Sequence, residues 1–192
     1  MHSPAPMADV TQVNIDIDSN AVAQHLSESI TFKTVSNQSM GNKKNEQFAG
    51  FIQWVKDTYP QVNQQLELVM LNQTLLYKWQ GSDVSLKPIL ITGHYDVVPV
   101  IPGSEVKWQH PPYEGKIVDG IVWGRGALDD KSGVVGMLEA TTFLLADGFL
   151  PARTVYLSFG HDEEIGGPMG AAAVTAYLKA QNVQLAWSLD EG

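Results

Sequence analysis

The sequence predicts an α/β fold with a largely parallel sheet. Three short apolar segments, at 88–93, 154–159 and 183–189, have the composition of strands that are buried in a sheet. Helical periodicity appears between them, over 132–147 and over the alanine-rich residues 170–181. Strands that alternate with helices are typical of βαβ units, in which successive strands run parallel.

Two helices and two strands are expected ahead of this region. Ser19 is expected to cap a first helix, because the apolar residues that follow it recur at helical spacing. An apolar stripe over 48–59 predicts a second helix, which Pro60 stops. Two strands are expected at 65–71 and 74–80, on either side of a short polar turn.

A long loop and a β-hairpin are expected between the first two apolar segments. The loop covers 100–112, where three prolines disfavour regular structure. Short β-prone segments at 116–118 and 121–123 flank Asp119 and Gly120, a pair that favours a two-residue hairpin turn.

Composition excludes several classes of function. The chain has 192 residues, the size of one globular domain, and its 21 acidic residues outnumber 12 Lys and Arg, for a formal net charge of −9. Nucleic acids and anionic membranes are bound through positive surfaces, so we expect neither as a partner. The lack of Cys excludes disulfides and Cys-ligated zinc. No apolar run reaches the roughly 18 residues of a membrane span, and no signal-peptide pattern is present.

Polar clusters follow the three apolar segments, at 93–96, 160–164 and 190–191, and a fourth at 129–131 precedes the helix predicted after it. Ligands of open α/β sheets bind beyond the carboxyl ends of the strands, so we expect the four clusters to converge. Several carboxylates can share a site when cations neutralise them. One His with several carboxylates is a ligand set for zinc, cobalt or manganese.

Each cluster taken alone has an ordinary structural explanation. His-x-Asp pairs are common, adjacent acids favour a helix start, and acidic runs are usually solvated loops. The metal-site hypothesis therefore depends on all four clusters occurring together. His161 lies within one of them, but we expect it to have a structural role.

The four clusters also resemble known motifs. The segments ITGHYDVVP, GRGALDDKSG, FGHDEEIGG and LDEG, in this order and spacing, resemble the metal-site motifs of the M20 family of dizinc metallopeptidases. The similarity runs from about Phe48 to Gly192 and is greatest to the branch of carboxypeptidase S, Gly-Xaa carboxypeptidase and N-fatty-acyl-amino-acid hydrolase. The resemblance implies a zinc-exopeptidase-like three-layer α/β sandwich with a mostly parallel mixed sheet.

The resemblance implies two catalytic residues and four metal ligands. The catalytic pair is Asp96, the acid that orients the site, and Glu163, the general base that takes a proton from the metal-bound water. The implied metal ligands, in chain order, are His94, Asp129, Glu164 and Glu191.

The implied ligands divide between two metals. His94, Asp129 and Glu191 belong to the first metal, and Glu191 is preferred over its neighbour Asp190. Asp129 bridges to the second metal, which also takes Glu164. The implied cofactor is a pair of Zn²⁺ ions, with cobalt or manganese as alternatives, and we expect this chain to hold one or none of them firmly.

The implied activity is metal-dependent hydrolysis of the amide bond next to a C-terminal amino acid, in small peptides or N-acyl amino acids. Family members continue into a lid or dimerisation domain and then return to the catalytic domain. We therefore expect an irregular arm over 1–17 and an incomplete catalytic domain over 18–192, without the lid or a homodimer formed through it. The alternative is a truncated, catalytically weak or inactive fragment that keeps the fold and one metal site. The family resemblance implies a secretory or vacuolar location.

Overall fold

The computed structural model describes residues 15–38 and 45–191, so most of the arm expected over 1–17 lies outside the described residues. The strands are β1 (Glu67–Leu71), β2 (Thr74–Trp79), β3 (Ile89–His94), β4 (Lys116–Val118), β5 (Ile121–Trp123), β6 (Val155–Gly160) and β7 (Trp187–Leu189). The α-helices are α1 (Ser19–Ile30), α2 (Glu46–Thr58), α3 (Pro60–Gln65), α4 (Lys131–Ala146) and α5 (Ala171–Ala180). Short 3₁₀ turns occupy Glu105–Lys107 and Glu163–Ile165.

Five of these strands form one mixed sheet in the order β1-β2-β6-β3-β7. β3 pairs in parallel with both β6 and β7, which confirms the parallel relation expected of the three apolar segments. β2 is antiparallel to both β1 and β6, so two of the four pairings are parallel. The predicted mixed α/β fold is therefore confirmed, and its parallel part is the half that carries the polar clusters.

Helices cover both faces of this sheet. Alternate strand residues point to opposite faces, so Leu75 and Tyr77 pack into a core with α2, α3 and α4. Leu76 and Tyr156 point the other way and pack against Val174 of α5 and its neighbours. The two cores make three layers, as the resemblance implies. No helix among the described residues is both long and apolar enough to cross a bilayer.

Three local details differ from the sequence prediction. Asp18, rather than Ser19, caps α1, because its carboxylate accepts hydrogen bonds from the amides of residues 20 and 21, both at 3.1 Å. Pro60 ends α2 as expected but also begins α3, where its missing amide hydrogen costs nothing. β7 is shorter than the segment 183–189, since the amide of Val183 turns back to the end of α5.

The predicted hairpin is present as β4 and β5, which pair antiparallel around Asp119 and Gly120. Both turn residues have positive φ angles, 51° and 77°, as a type I′ turn requires. The hairpin and the proline-rich loop before it lie outside the five-stranded sheet.

Lys131, the first residue of α4, is buried completely, which its charge did not predict. Its ammonium group donates to the backbone carbonyls of Ser29 and Phe32, at 2.8 and 2.7 Å, and lies 5.4 Å from the centre of the Phe51 ring. These contacts join the C-terminus of α1 to the start of α4. Burial lowers the pKa of Lys131 to about 7.

Replacing Lys131 by methionine is expected to lower the free energy of unfolding by about 3 kcal/mol, since two buried carbonyls lose a donor. The difference in free energy of unfolding between the wild type and this variant should increase above pH 7. The unfolded chain keeps this proton to about pH 10, so the folded wild type gains stability with rising pH and the variant does not. Urea unfolding at pH 7 and pH 9 measures both effects, with Lys179→Met, an exposed helical lysine, as the matched control. Equal losses in the two variants would contradict the structural role.

Candidate metal centre

The four polar clusters converge at the carboxyl edge of the parallel strands, as the sequence predicts. His94 is the last residue of β3, and Glu163 follows β6 by three residues. Glu191 follows β7 by two residues, and Asp129 precedes α4 by two. Strand and helix ends therefore bring side chains from distant parts of the chain together.

His94 lies at the centre of the cluster and is only 1% exposed. Its Nε2 atom is 3.0 Å from an Asp129 oxygen, 2.9 Å from a Glu191 oxygen and 3.7 Å from a Glu163 oxygen. Its Nδ1 atom lies 3.0 Å from the backbone carbonyl of Asp96, which orients the ring. Nε2 is thus the nitrogen that faces the carboxylates.

Two groups of side chains have ligand atoms that all lie within 4.8 Å of one another. One contains His94, Glu163 and Glu191, and the other contains His94, Asp129 and Glu164. All four predicted metal ligands are therefore close together. The grouping differs from the predicted division in two ways. Glu163, the predicted general base, also lies within ligand distance, and Asp129 and Glu191, predicted to bind the same metal, fall in different groups. The individual roles stay predictions.

Asp96 fixes the turn that carries both glutamates. Its carboxylate is fully buried and accepts hydrogen bonds from the amides of Glu163, at 3.0 Å, and Glu164, at 3.1 Å. That turn is the 3₁₀ turn Glu163–Ile165, so neighbouring side chains do not point to opposite sides as they would on a strand. The Glu164 carboxylate accepts a further hydrogen bond from the amide of Val98, at 3.1 Å.

Asp130 connects the start of α4 to β3. Its carboxylate accepts hydrogen bonds from the amides of Gly133, at 3.2 Å, and His94, at 3.3 Å. It therefore caps α4 and holds the backbone of His94 next to Asp129. Burial raises the pKa of the Asp130 carboxyl.

The carboxylates in the cluster form a site that favours a bound cation. Burial alone would lower the pKa of His94, but the Asp96 and Glu191 carboxylates overcome it and raise that pKa to about 10. Burial, reinforced by neighbouring carboxylates, raises the pKa of both Glu164 and Glu191. In the metal-free protein a proton on His94 therefore neutralises part of the cluster, and a divalent metal ion can take its place. One imidazole with surrounding carboxylates fits such an ion.

Two ambiguous residues are placed by their contacts. The carboxylate of Asp190 accepts hydrogen bonds from the Thr92 hydroxyl and from the Glu191 amide, so Glu191 is the residue of this pair that reaches His94. His161 is buried, with Nδ1 2.7 Å from the Thr74 hydroxyl, and burial lowers its pKa. It belongs to neither ligand group found in the described part of the chain.

Comparison with known proteins decides the family. The sequence profile of peptidase family M20/M25/M40 matches residues 90–190, more than half of the chain, and that range contains five of the six predicted site residues, with Glu191 one residue beyond it. The chain belongs to this M20 peptidase family. It is therefore related to peptidase-type hydrolases, and its family membership agrees with a metal site at His94.

The M20 chain is similar to proteins much longer than itself. It is 42% identical over 175 residues to probable carboxypeptidase S-like 2 of Dictyostelium discoideum, covering 89% of this chain and 33% of that protein. It is 42% identical over 145 residues to the N-fatty-acyl-amino acid synthase/hydrolase PM20D1 of Xenopus tropicalis, covering 74% of this chain and 28% of the relative. The M20 chain thus spans about a third of these relatives.

A solved structure supports the fold. The M20 family metallo-carboxypeptidase Sso-CP2 from Sulfolobus solfataricus superposes with a TM-score of 0.63 at 22% identity. The match covers 93% of the M20 chain and 38% of that protein. The three-layer α/β arrangement is therefore that of M20 peptidases.

Proposed function

We propose that this chain carries the metal centre of a hydrolase that cleaves the amide bond next to a C-terminal amino acid, in small peptides or N-acyl amino acids. The observation that carries the proposal is the position of His94 Nε2, within 3.0 Å of both Asp129 and Glu191. His94 is buried and its other nitrogen is engaged by Asp96, which leaves Nε2 for a metal.

The proposed cofactor is a pair of Zn²⁺ ions, with cobalt or manganese as alternatives. His94 would hold one ion together with Asp129 and Glu191, both of which contact its Nε2 atom. Asp129 with Glu164, which lie in one ligand group, would hold the other. When bound, such a pair lowers the pKa of a water molecule and polarises the scissile carbonyl. The residues themselves supply the negative charge that attracts the ions, and Asp96 keeps the His94 ring oriented.

Glu163 is the proposed general base. Its side chain is 55% exposed, and its nearer oxygen lies 3.7 Å from His94 Nε2, at the edge of the ligand cluster. Its backbone is fixed by Asp96, which holds the carboxylate close to the site without engaging its oxygens. In this role Glu163 takes a proton from the attacking water and then passes it to the nitrogen of the leaving amine.

The substrate class comes from the relatives. The relatives are named probable carboxypeptidase S-like 2 and N-fatty-acyl-amino acid synthase/hydrolase PM20D1, names that refer to a carboxypeptidase and to N-acyl amino acids. We extend this to the M20 chain as a proposal about the whole protein, within which 18–192 would be the N-terminal part of the catalytic domain. The secretory or vacuolar location and the lid-dependent homodimer stay predictions.

A catalytically weak or inactive metal-binding chain is the second candidate. The openness of the site favours it, because the Asp129 side chain is 69% exposed and that of Glu163 is 55% exposed. Catalytic metal sites gain much of their electrostatic power from the exclusion of water. A site this open would bind an ion without strongly accelerating hydrolysis.

A metal-reconstitution assay separates the two candidates. The purified chain is treated with chelator, supplied with Zn²⁺, Co²⁺ or Mn²⁺, and incubated with dipeptides and N-acyl amino acids. The enzyme proposal predicts release of free amino acid that the chelator abolishes and the metal restores. Metal binding without hydrolysis would establish the second candidate. Hydrolysis that is insensitive to the chelator would contradict both.

A further inference from the structure

Among the residues that the structure describes, three hydrogen-bond donors hold the buried carboxylate of Asp96, and one of them lies outside the four polar clusters. The amides of Glu163 and Glu164 supply two of the hydrogen bonds. The hydroxyl of Ser36 supplies the third, at 2.6 Å to Oδ2. Ser36 is itself buried and lies 60 residues before Asp96, in the segment that follows α1.

The segment around Ser36 is held firmly against the strand end that carries Asp96. Val35 forms an isolated parallel β-bridge with Val97, and the amide of Val97 donates to the carbonyl of Thr34 at 3.0 Å. The Thr34 hydroxyl donates in turn to the carbonyl of Tyr95. Because these contacts fix the backbone just before Ser36 and on both sides of Asp96, the Ser36 hydroxyl is presented to Asp96 from a defined position.

The two oxygens of Asp96 face different partners. Oδ2 receives Ser36 and the Glu164 amide, whereas Oδ1 receives the Glu163 amide and lies 3.4 Å from Nδ1 of His94. A rotation of the carboxylate would move Oδ1 away from the imidazole. We infer that Ser36 is a positioning residue, whose hydroxyl holds Oδ2 so that Oδ1 stays beside His94 and directs Nε2 to the metal.

This inference depends on the proposed function in one respect, namely that His94 binds the metal. Partners that orient a metal-binding His typically change metal affinity by about 10- to 100-fold when they are removed. Ser36 acts one step further from the ion, so its removal should have an effect near the lower end of that range.

Thr34 provides a matched control. Thr34 is buried, as Ser36 is, and its hydroxyl holds the same segment, but it donates to a backbone carbonyl instead of to Asp96. If Ser36 only anchors the segment, loss of either hydroxyl should have the same consequence. If Ser36 positions Asp96, only its own loss should affect the metal.

The experiment is a Co²⁺ titration of the 192-residue chain, followed by visible absorption, with thermal unfolding recorded for every variant. Ser36→Ala is expected to weaken Co²⁺ binding about tenfold and to shift the absorption bands of the bound ion. Ser36→Thr, which keeps the hydroxyl, should bind like the wild type. Thr34→Val should keep wild-type affinity and bands, even where its melting temperature falls.

Several outcomes would overturn the inference. One is a Ser36→Ala variant with wild-type affinity and spectrum, and another is a Thr34→Val variant that is weakened as much as Ser36→Ala. His94→Ala separates this failure from that of the metal site. If His94→Ala abolishes binding while Ser36→Ala does not change it, only the positioning role is lost. If the wild type fails to bind Co²⁺, or His94→Ala binds as well as the wild type, both are lost.

Discussion

A Glu163→Gln variant is expected to hydrolyse substrate about 10²- to 10⁴-fold more slowly than the wild-type chain while it binds the same amount of metal. Glutamine keeps the size of the side chain but cannot accept the proton of the attacking water. The Glu163 carboxylate is largely exposed, so the substitution should leave folding unchanged. Initial rates with an N-acyl amino acid, paired with metal analysis of the same sample, measure the effect.

The metal content decides between two roles that the geometry allows. Glu163 shares a ligand group with His94 and Glu191, so it could bind metal instead of acting as base. Loss of metal from Glu163→Gln would contradict the general-base role and support the ligand role. Glu105→Gln, an exposed glutamate in another 3₁₀ turn, controls for the change of charge and should match the wild type in both measurements.

An Asp129→Ala variant is expected to lose bound metal and to fall to the activity of the metal-free chain, because Asp129 is the proposed bridge between both ions. The metal-free protein should fold as well as the wild type. The Asp129 side chain is 69% exposed, and its charge is among the neighbours that raise the pKa of Glu164 and Glu191. The variant therefore separates metal binding from folding.

Thermal unfolding with and without Zn²⁺ gives the direct measurement. A ligand that binds only the folded state raises the melting temperature, so the wild type should show a metal-dependent increase that Asp129→Ala lacks. Asp57→Ala, which removes an exposed helical carboxylate far from the cluster in sequence, should retain the increase. Equal metal content in Asp129→Ala and wild type would show that Asp129 is not the bridging ligand.

The sequence predicts the convergence of the site well, for a physical reason. His94 ends one strand of the parallel set, and Glu163 and Glu191 follow the other two within three residues, so the direction of the strands alone brings them to one edge. The preference for Glu191 over Asp190 is supported by the Thr92 hydroxyl, which engages Asp190 instead.

The contacts behind the site could not be predicted in this way. Ser36 reaches Asp96 across 60 residues, and Lys131 reaches the Ser29 carbonyl across 102. Hydrophobic periodicity cannot predict that a single polar side chain is buried when the reason is a hydrogen bond to one partner that is distant in the sequence. The error in the predicted cap of α1, Ser19 instead of Asp18, has a different origin. Either of these adjacent residues can serve as an N-cap, and only the backbone geometry selects one.

The shortness of β7 has a kinetic consequence for the proposed centre. β7 is joined to β3 through only three register pairs, and its residues are all exposed. Segments held this weakly open by local fluctuation while the rest of the protein stays folded. Each opening of β7 would move Glu191 away from His94. The dwell time of a bound ion should therefore depend on how often this strand opens, and amide hydrogen exchange at Leu189 would measure that opening.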